Sequence, residues 1–404
     1  MKILLVTQYF FPENLRSNDL ADSLSKRGHD VTVLTGLPNY PGGDFFEGFS
    51  FFKFKKESYY KTVKVIRCRM IPRKNGSQLF LILNYLSFAI FASLKVLFLK
   101  EKKFDASFVF AVSPITAAIP AIILKFIEKT PMVIWVQDLW PDSVVESGKF
   151  NSRIGFSILE KITKYIYNKS DRILVSSKGM VKSIKNRGVN IKKIFFLPQW
   201  AEDIFENWIV KEKYGISMPD GFNIVFAGNI GVAQDISSII KASELLKEKK
   251  NINFIFIGKG SEYSWLKKQI LKKRLSDTVH ILGSYPLEDM PYFFEKSDAM
   301  LVTLKKSKIW SITIPAKIQT YLLTGKPILT MLDGEGSELI DNAKAGLTAE
   351  SGDYRTLVKN ILKIESYSRE KRNEMGKNGA FFYKQKFLKK KSLSKLETIL
   401  ENIV

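Results

Sequence analysis

Cysteine and histidine are almost missing from this chain: Cys68 is its single thiol, and His29 and His280 are its two imidazoles. One cysteine excludes an internal disulfide and any multi-cysteine zinc site, and two histidines leave no His-rich metal centre. No Asp-x-Asp pair occurs, so the close carboxylates that hold a divalent cation against a diphosphate are missing too. A Walker loop is absent, which argues against a P-loop ATPase. Neither a metal nor a cofactor is expected. The apolar run at Met1–Thr7 is too short for a secretion signal and reads as a first strand.

Acidic residues are also in deficit. Forty Asp+Glu stand against 63 Lys+Arg, a formal charge of +23. Such a surplus suits an anionic partner: nucleic acid, a phosphorylated substrate or an acidic membrane face. The lysines are spread through every segment, so solubility or base composition explains part of the excess equally well. No aromatic-basic recognition motif stands out, and no nucleic-acid partner is expected.

What is present is alternation. With 404 residues, 45% of them hydrophobic, two cores are expected. Strand patterns at Ile3–Thr7, Val31–Thr35, Ala106–Ala111, Met132–Val136 and Arg172–Ser176 alternate with helical ones such as Asn18–Arg27. A second series follows at Ile224–Ala227, Phe254–Ile257, Val279–Leu282, Ala299–Thr303 and Pro327–Met331. Near-continuous apolar strands between helices imply parallel sheets covered on both faces. The polar, aromatic stretch Gln199–Pro219 separates the two series, and the tail from Tyr354 reads as lysine-rich helix. The fold class is therefore α/β, two doubly wound Rossmann-like domains, with ligands at the C-terminal strand ends.

Two segments carry the functional signal. Phe222-Asn-Ile-Val-Phe-Ala-Gly228-Asn229-Ile-Gly231 is a buried strand entering a glycine-flanked turn, with a helix starting near Asp235. Phe254–Gly260 repeats the pattern. Small residues there let backbone approach a ligand, and amides at a helix start attract phosphate, so a nucleotide-diphosphate pocket is expected; plain turn geometry is the alternative. Leu79–Leu99 is apolar over about one bilayer-spanning length of roughly 20 residues, interrupted by Asn84, Ser87, Ser93 and Lys95. A spanning helix would divide the strands between two compartments. A helix buried on the sheet, or dipping one face into the lipid interface, fits better. Arg67, Arg69, Arg73 and Lys74 just before it suit an anionic headgroup or an ordinary solvated face.

The combination Gln8-Tyr-Phe-Phe-Pro12-Glu13, Lys26-Arg-Gly-His-Asp-Val-Thr-Val-Leu-Thr35 and Pro38-Asn-Tyr-Pro41 resembles the N-terminal half of retaining glycosyltransferases of family 4. Trp135-Val-Gln-Asp-Leu-Trp-Pro-Asp142, Gly228–Gly231 and Pro315–Tyr321 followed by Gly325-Lys-Pro327 extend the match over nearly the whole chain. It is similar in particular to bacterial O-antigen and capsule enzymes assigned to N-acetyl-L-fucosamine transfer. The resemblance implies a GT-B fold with a cleft between its domains, a nucleotide-sugar donor and no required metal. It divides the chain into an acceptor-binding domain at 1–200, a nucleotide-sugar domain at 201–380, and a C-terminal helix at 381–404 packing back on the first.

Carried over by position, the donor site comprises Gly228, Asn229 and Gly231 near the diphosphate, with Lys259 and Lys317 as counter-charges. Gly283, Ser284 and Tyr285 stand where the family grips the base, and Glu335 where the ribose or sugar is touched. Arg16, after the first strand, is a further donor cation. Three departures accompany the match. Ile312 and Thr320 replace the family's paired glutamates, so ribose binding falls to Gln319, Thr320 or Glu335. Asn229 and Gln234 stand where relatives carry Arg and Lys. Gln137 replaces a histidine, leaving Asp138 as the group that polarises the acceptor hydroxyl or, alternatively, caps the segment after Pro141. Asn39 and Tyr40 are acceptor contacts or a rigid proline turn. The implied activity is sugar transfer from a UDP-sugar to a lipid-diphosphate-linked acceptor, in the cytoplasm at the inner membrane face. A nucleotide-sugar epimerase of the same architecture and a non-catalytic basic binding protein are the alternatives.

Overall fold

The computed structural model describes residues 1–52, 58–59, 62–74, 77–99, 103–146, 152–206, 210 and 217–404. The chain divides into two compact units, Met1–Leu197 with Lys390–Val404, and Pro198–Lys389.

Unit 1 carries β1 (Lys2–Val6), β2 (Asp30–Gly36), β3 (Ser58–Tyr59), β4 (Val63–Cys68), β5 (Ala106–Ala111), β6 (Met132–Val136), β7 (Arg172–Val175) and β8 (Ile194–Phe196). Its helices are α1 (Arg16–Lys26), α2 (Gln78–Leu97), α3 (Ile119–Glu128), α4 (Asp142–Glu146), α5 (Arg153–Lys169) and α6 (Lys178–Asn186). The strands lie in the order β3-β4-β2-β1-β5-β6-β7-β8, parallel except for the β3–β4 pair. β1, β5 and β6 are buried almost throughout, as helices on both faces require. The order reverses between β1 and β5, so the loops after those strands flank a crevice.

Unit 2 carries β9 (Phe222–Ala227), β10 (Ile252–Ile257), β11 (Val279–Gly283), β12 (Ala299–Thr303), β13 (Ile328–Met331) and β14 (Gly346–Ala349), all parallel in the order β11-β10-β9-β12-β13-β14. Its helices are α7 (Asp203–Glu206), α8 (Ile236–Leu245), α9 (Tyr263–Lys272), α10 (Met290–Glu295), α11 (Lys308–Ser311), α12 (Lys317–Leu323), α13 (Glu335–Ala343), α14 (Tyr354–Ser366) and α15 (Arg369–Lys386). Two apolar layers, one on each sheet face, fill it. Its reversal lies between β9 and β12.

The last helix, α16 (Lys389–Glu401), belongs to unit 1, where Glu397 takes a bidentate bond from Arg27 and a 3.0 Å bond from His29. The crossing falls at Lys389/Lys390, later than residue 381. The reason is Tyr383: its hydroxyl receives the Ala201 amide at 3.0 Å and donates to Glu206 at 3.0 Å, which keeps α15 in unit 2. Of the stretch Gln199–Pro219, residues 207–209 and 211–216 lie outside the described residues; 203–206 form α7 rather than irregular chain.

α2 is inverted. Its buried side carries Asn84, Ser87 and Ser93 beside Leu81, Phe88, Ala89, Ala92 and Val96. Its outer side carries Leu79, Ile82, Leu86, Ile90, Leu94 and Leu97, each between 41% and 63% exposed, with Phe98 at 78%. Spacings of three and four place these on one stripe. A solvated helix would show the opposite polarity.

Candidate functional site

In unit 2 the glycine turns are laced to one another. The Gly228 amide donates to the Ile257 carbonyl (2.8 Å), the Gly258 amide to Gly283 (2.6 Å) and the Ile230 amide to Lys259 (2.9 Å). Gly228, Gly258 and Gly283 all have φ near or above +90°. A Cβ on Gly258 would fall 1.9 Å from the Gly228 carbonyl oxygen, and one on Gly260 2.2 Å from that of Ile230. Glycine is thus dictated here by strand ends touching, before any ligand is considered.

Lys317 is the first residue of α12, and four residues on, Tyr321 bolts that helix to the end of β9. The Ala227 amide donates to the Tyr321 hydroxyl (2.9 Å), which donates back to the Ala227 carbonyl (3.2 Å). Residues i and i+4 share a helix face, so the bolt also aims Lys317 at the same turn. Its ammonium lies 3.8 Å from the Phe226 ring centre and 3.5 Å from where a Gly228 Cβ would stand. The nitrogen is buried with no hydrogen-bond partner among the described residues, and burial pulls its pKa down from 10.5 to about 7. Lys317 thus brings a buried cationic group to the sheet reversal, beside turns whose Gly228, Gly258 and Ile230 amides are already committed to carbonyls.

The other donor residues are placed unevenly. Asn229 donates to Gln234 at 3.4 Å, on the turn where Lys305 bonds the Ala233 carbonyl. Lys259 and Ser284 are exposed beside it; Gly231 completes the turn. Tyr285 stacks on Phe293 with ring centres 4.7 Å apart. Glu335 opens α13 behind Gly334, where an added Cβ would fall 2.0 Å from the Ser311 carbonyl oxygen. Gln319 is 1% exposed, and with its amide oriented for hydrogen bonding it donates to the Ala316 carbonyl. Thr320 is buried and donates to Glu202 at 3.3 Å. Glu202 was missed because it lies far away in sequence, before β9. Among the described residues no group of three or more His, Cys, Asp or Glu is arranged to hold a metal.

In unit 1 a polar cluster occupies the C-terminal strand ends. Asn84 of α2 accepts from Gln8 (2.7 Å) and the Tyr9 hydroxyl (3.5 Å), and donates to the Asn39 side chain (3.3 Å) and the Ile71 carbonyl (2.6 Å). Asn39 is fully buried in this network, its amide donating to the Leu37 carbonyl, which fits the structural alternative. Tyr40 is partly exposed, 5.5 Å from the Tyr9 ring. Asp138, on the loop after β6, accepts from the Ser113 amide (3.2 Å) and hydroxyl (3.0 Å), and Trp140 donates to that hydroxyl (2.8 Å). Burial raises its pKa, while the Ser113 bonds pull it back. Asp138 therefore ties the β5 and β6 loops together; Ser113 gave no sequence signal. Arg16 begins α1, partly buried. Arg67, read as a headgroup contact, is 5% exposed and donates to the Gly36 and Phe11 carbonyls, a correction forced by its packing under Phe49.

Glu13 is a clamp. Its carboxylate accepts the amides of Phe10 (3.0 Å), Asn39 (2.8 Å) and Tyr40 (2.7 Å), joining the β1 and β2 loops. Burial outweighs those bonds and lifts its pKa from 4.5 to about 7. Folded chain then holds more protons than unfolded chain between those values, so stability falls as pH rises through this window. Each shifted unit corresponds to about 1.4 kcal/mol. Glu13→Gln is expected to flatten that decline in denaturant midpoints between pH 5 and 7.5; an identical decline in both chains would discharge Glu13.

Two doubly wound α/β sheets, one in each unit, are the architecture of the GT-B fold. Residues 14–200 match the family described as glycosyl transferase 4-like domain, and residues 210–381 match glycosyl transferases group 1. The two together take in most of the chain, which thus carries two glycosyltransferase domains and is a transferase enzyme. WcaI of Escherichia coli (strain K12), a glycosyl transferase provisionally named for colanic acid biosynthesis, is 24% identical over 80% of this chain and 82% of its own. The fold also matches HepE of Anabaena, crystallised with UDP (TM-score 0.71, 15% identity, all of both chains). WaaG, a glycosyltransferase of lipopolysaccharide biosynthesis, aligns over 95% of each chain (TM-score 0.63, 14% identity). The epimerase and non-catalytic readings find no support in either domain match.

Proposed function

We propose that the enzyme moves a sugar from a UDP-sugar to a lipid-diphosphate-linked acceptor in O-antigen or capsule assembly, acting in the cytoplasm at the inner membrane face. On the motif resemblance, the sugar is N-acetyl-L-fucosamine. Unit 2 takes the donor diphosphate beside Asn229 and Gly231, with Lys259 and Lys317 as its counter-charges; unit 1 takes the acceptor. The anomeric C–O bond to phosphate breaks and UDP leaves with its electron pair. The acceptor oxygen bonds that carbon, and its proton passes to the leaving phosphate or to Asp138. The observation that carries the donor reading is the buried, unpaired Lys317 ammonium.

The membrane side rests on α2. Its outer stripe of six aliphatic residues and Phe98 continues through Phe91 to Phe51 and Phe52, with ring centres 5.7 and 5.1 Å apart. Arg69 lies over Phe51 and Lys74 over Phe80, so cations border the apolar face as an anionic monolayer requires. Thermal stabilisation by UDP, against GDP and dTDP, tests the donor; none with UDP would refute it. Leu86→Asp with Ile90→Asp, both on the exposed stripe, is expected to weaken flotation with anionic vesicles at least about tenfold at unchanged stability. Unaltered flotation would remove α2 from the membrane.

A further inference from the structure

Of the four cations before α2, one is spent on backbone carbonyls and three lie over aromatic rings, but only one of the three faces the polar cluster. Arg67 is buried on backbone carbonyls, Arg69 lies 5.8 Å from the Phe51 ring centre, and Lys74 4.2 Å from that of Phe80. Arg73 instead turns into the polar cluster, its guanidinium 5.0 Å from the Tyr40 ring centre and 5.7 Å from that of Tyr9. Its backbone is fixed by the bond from its amide to the Asn39 side chain (3.3 Å), and the preceding and following chain by Asn84 and Gly43. Among the described residues no carboxylate pairs with its guanidinium. The nearby acids are committed: Glu13 to three backbone amides, Asp138 to Ser113.

We propose that Arg73 is the phosphate receptor of the acceptor subsite and sets its preference for a diphosphate-linked saccharide, which rests on the transferase reading above. Two tyrosine rings hold the guanidinium in place without neutralising it, and its fork suits a bidentate phosphate. The order of chemistry along unit 1 fits such a molecule. Tyr40, Tyr85 and Asp138 offer ring faces and a carboxylate for a sugar, and both Arg73 and Asp138 act on the Tyr85 phenol. Arg73 comes next, and the apolar stripe of α2 starts six residues further on at Leu79. Sugar, diphosphate and lipid tail would meet these groups in that sequence.

The test uses the full chain and three probes: a short prenyl diphosphate N-acetylglucosamine, the octyl glycoside of the same sugar, and phosphatidylglycerol vesicles. Arg73→Gln is expected to weaken the diphosphate probe about tenfold or more, and to leave the other two within about twofold. Arg73→Lys recovers part of the loss, since charge returns without the fork. UDP stabilisation should be the same in all three chains. A wild-type chain without preference for the diphosphate probe, or one whose preference survives Arg73→Gln, overturns the proposal. So does a parallel fall in vesicle binding, which would make Arg73 a headgroup contact. Absence of UDP stabilisation in the wild type would instead sink the UDP-donor reading alone, the three acceptor probes still deciding this proposal.

Discussion

Replacing Lys317 with methionine will cost the chain its grip on UDP and at the same time make unit 2 harder to unfold. Both effects follow from one nitrogen. It is buried against the Phe226 ring with no hydrogen-bond partner among the described residues, and its pKa falls from 10.5 to about 7. A charge-assisted bond to phosphate is worth about 1.5–3 kcal/mol, so UDP affinity should drop roughly 10- to 100-fold in the variant. Against this, the folded chain resists holding a proton on that amine that the unfolded chain accepts freely. A shift of this size corresponds to a penalty on the order of 5 kcal/mol.

The sign of the pH dependence separates this account from ordinary packing. Between pH 7 and 10.5 the unfolded chain binds more protons than the folded one, so Lys317 makes stability rise with pH across that window. Below pH 7 the penalty is complete, and there Lys317→Met should gain most. UDP binding runs the other way. Above pH 7 the amine must be reprotonated before it can pair with phosphate, so wild-type affinity should fall by up to about tenfold per pH unit. Calorimetric titration at pH 6.5 and 8.5 reads this directly. Equal pH slopes in wild type and variant, or a variant that is less stable below pH 7, would show that Lys317 is only a packing element.

Much of this was legible in the sequence, and the rest was hidden for physical reasons. Strands buried on both faces announce themselves, and β1, β5, β6, β9 and β10 lie within a residue or two of their apolar runs. β4 escaped because Lys64 and Arg67 break its run, yet Arg67 serves the interior by bonding backbone carbonyls. β14 escaped because Gly346-Leu-Thr-Ala is short and partly exposed. The glycine turns were readable as glycine turns, but their reason was not: Gly258 meets Gly228 across thirty positions of chain. Polar residues in α2 read as interruptions of an apolar helix, whereas Asn84 is the hub of a buried network. Periodicity reports that a helix has two faces. Which face looks inward depends on what the sheet presents to it.

Gly258→Ala should decide which of two demands keeps that turn free of side chains. If room for a ligand were the reason, alanine would leave unit 2 as stable as before and remove UDP binding alone. The geometry argues for more. A Cβ there falls 1.9 Å from the Gly228 carbonyl oxygen, which is backbone and cannot swing away, and φ is +140°. Gly283→Ala supplies the comparison: φ is +93°, but nothing lies within 4 Å of the added carbon. Left-handed strain alone costs about 1–3 kcal/mol, so Gly283→Ala should lower the melting temperature by a few degrees. Gly258→Ala adds the collision, which must push the β9 and β10 turns apart and break the 2.8 Å and 2.6 Å bonds lacing Gly228 to Ile257 and Gly258 to Gly283. A clearly larger fall in unit 2 stability than for Gly283→Ala is therefore expected, with UDP protection lost as well. Equal melting temperatures for the two variants would mean that the row of strand ends yields easily, and that glycine stands at 258 for the ligand alone.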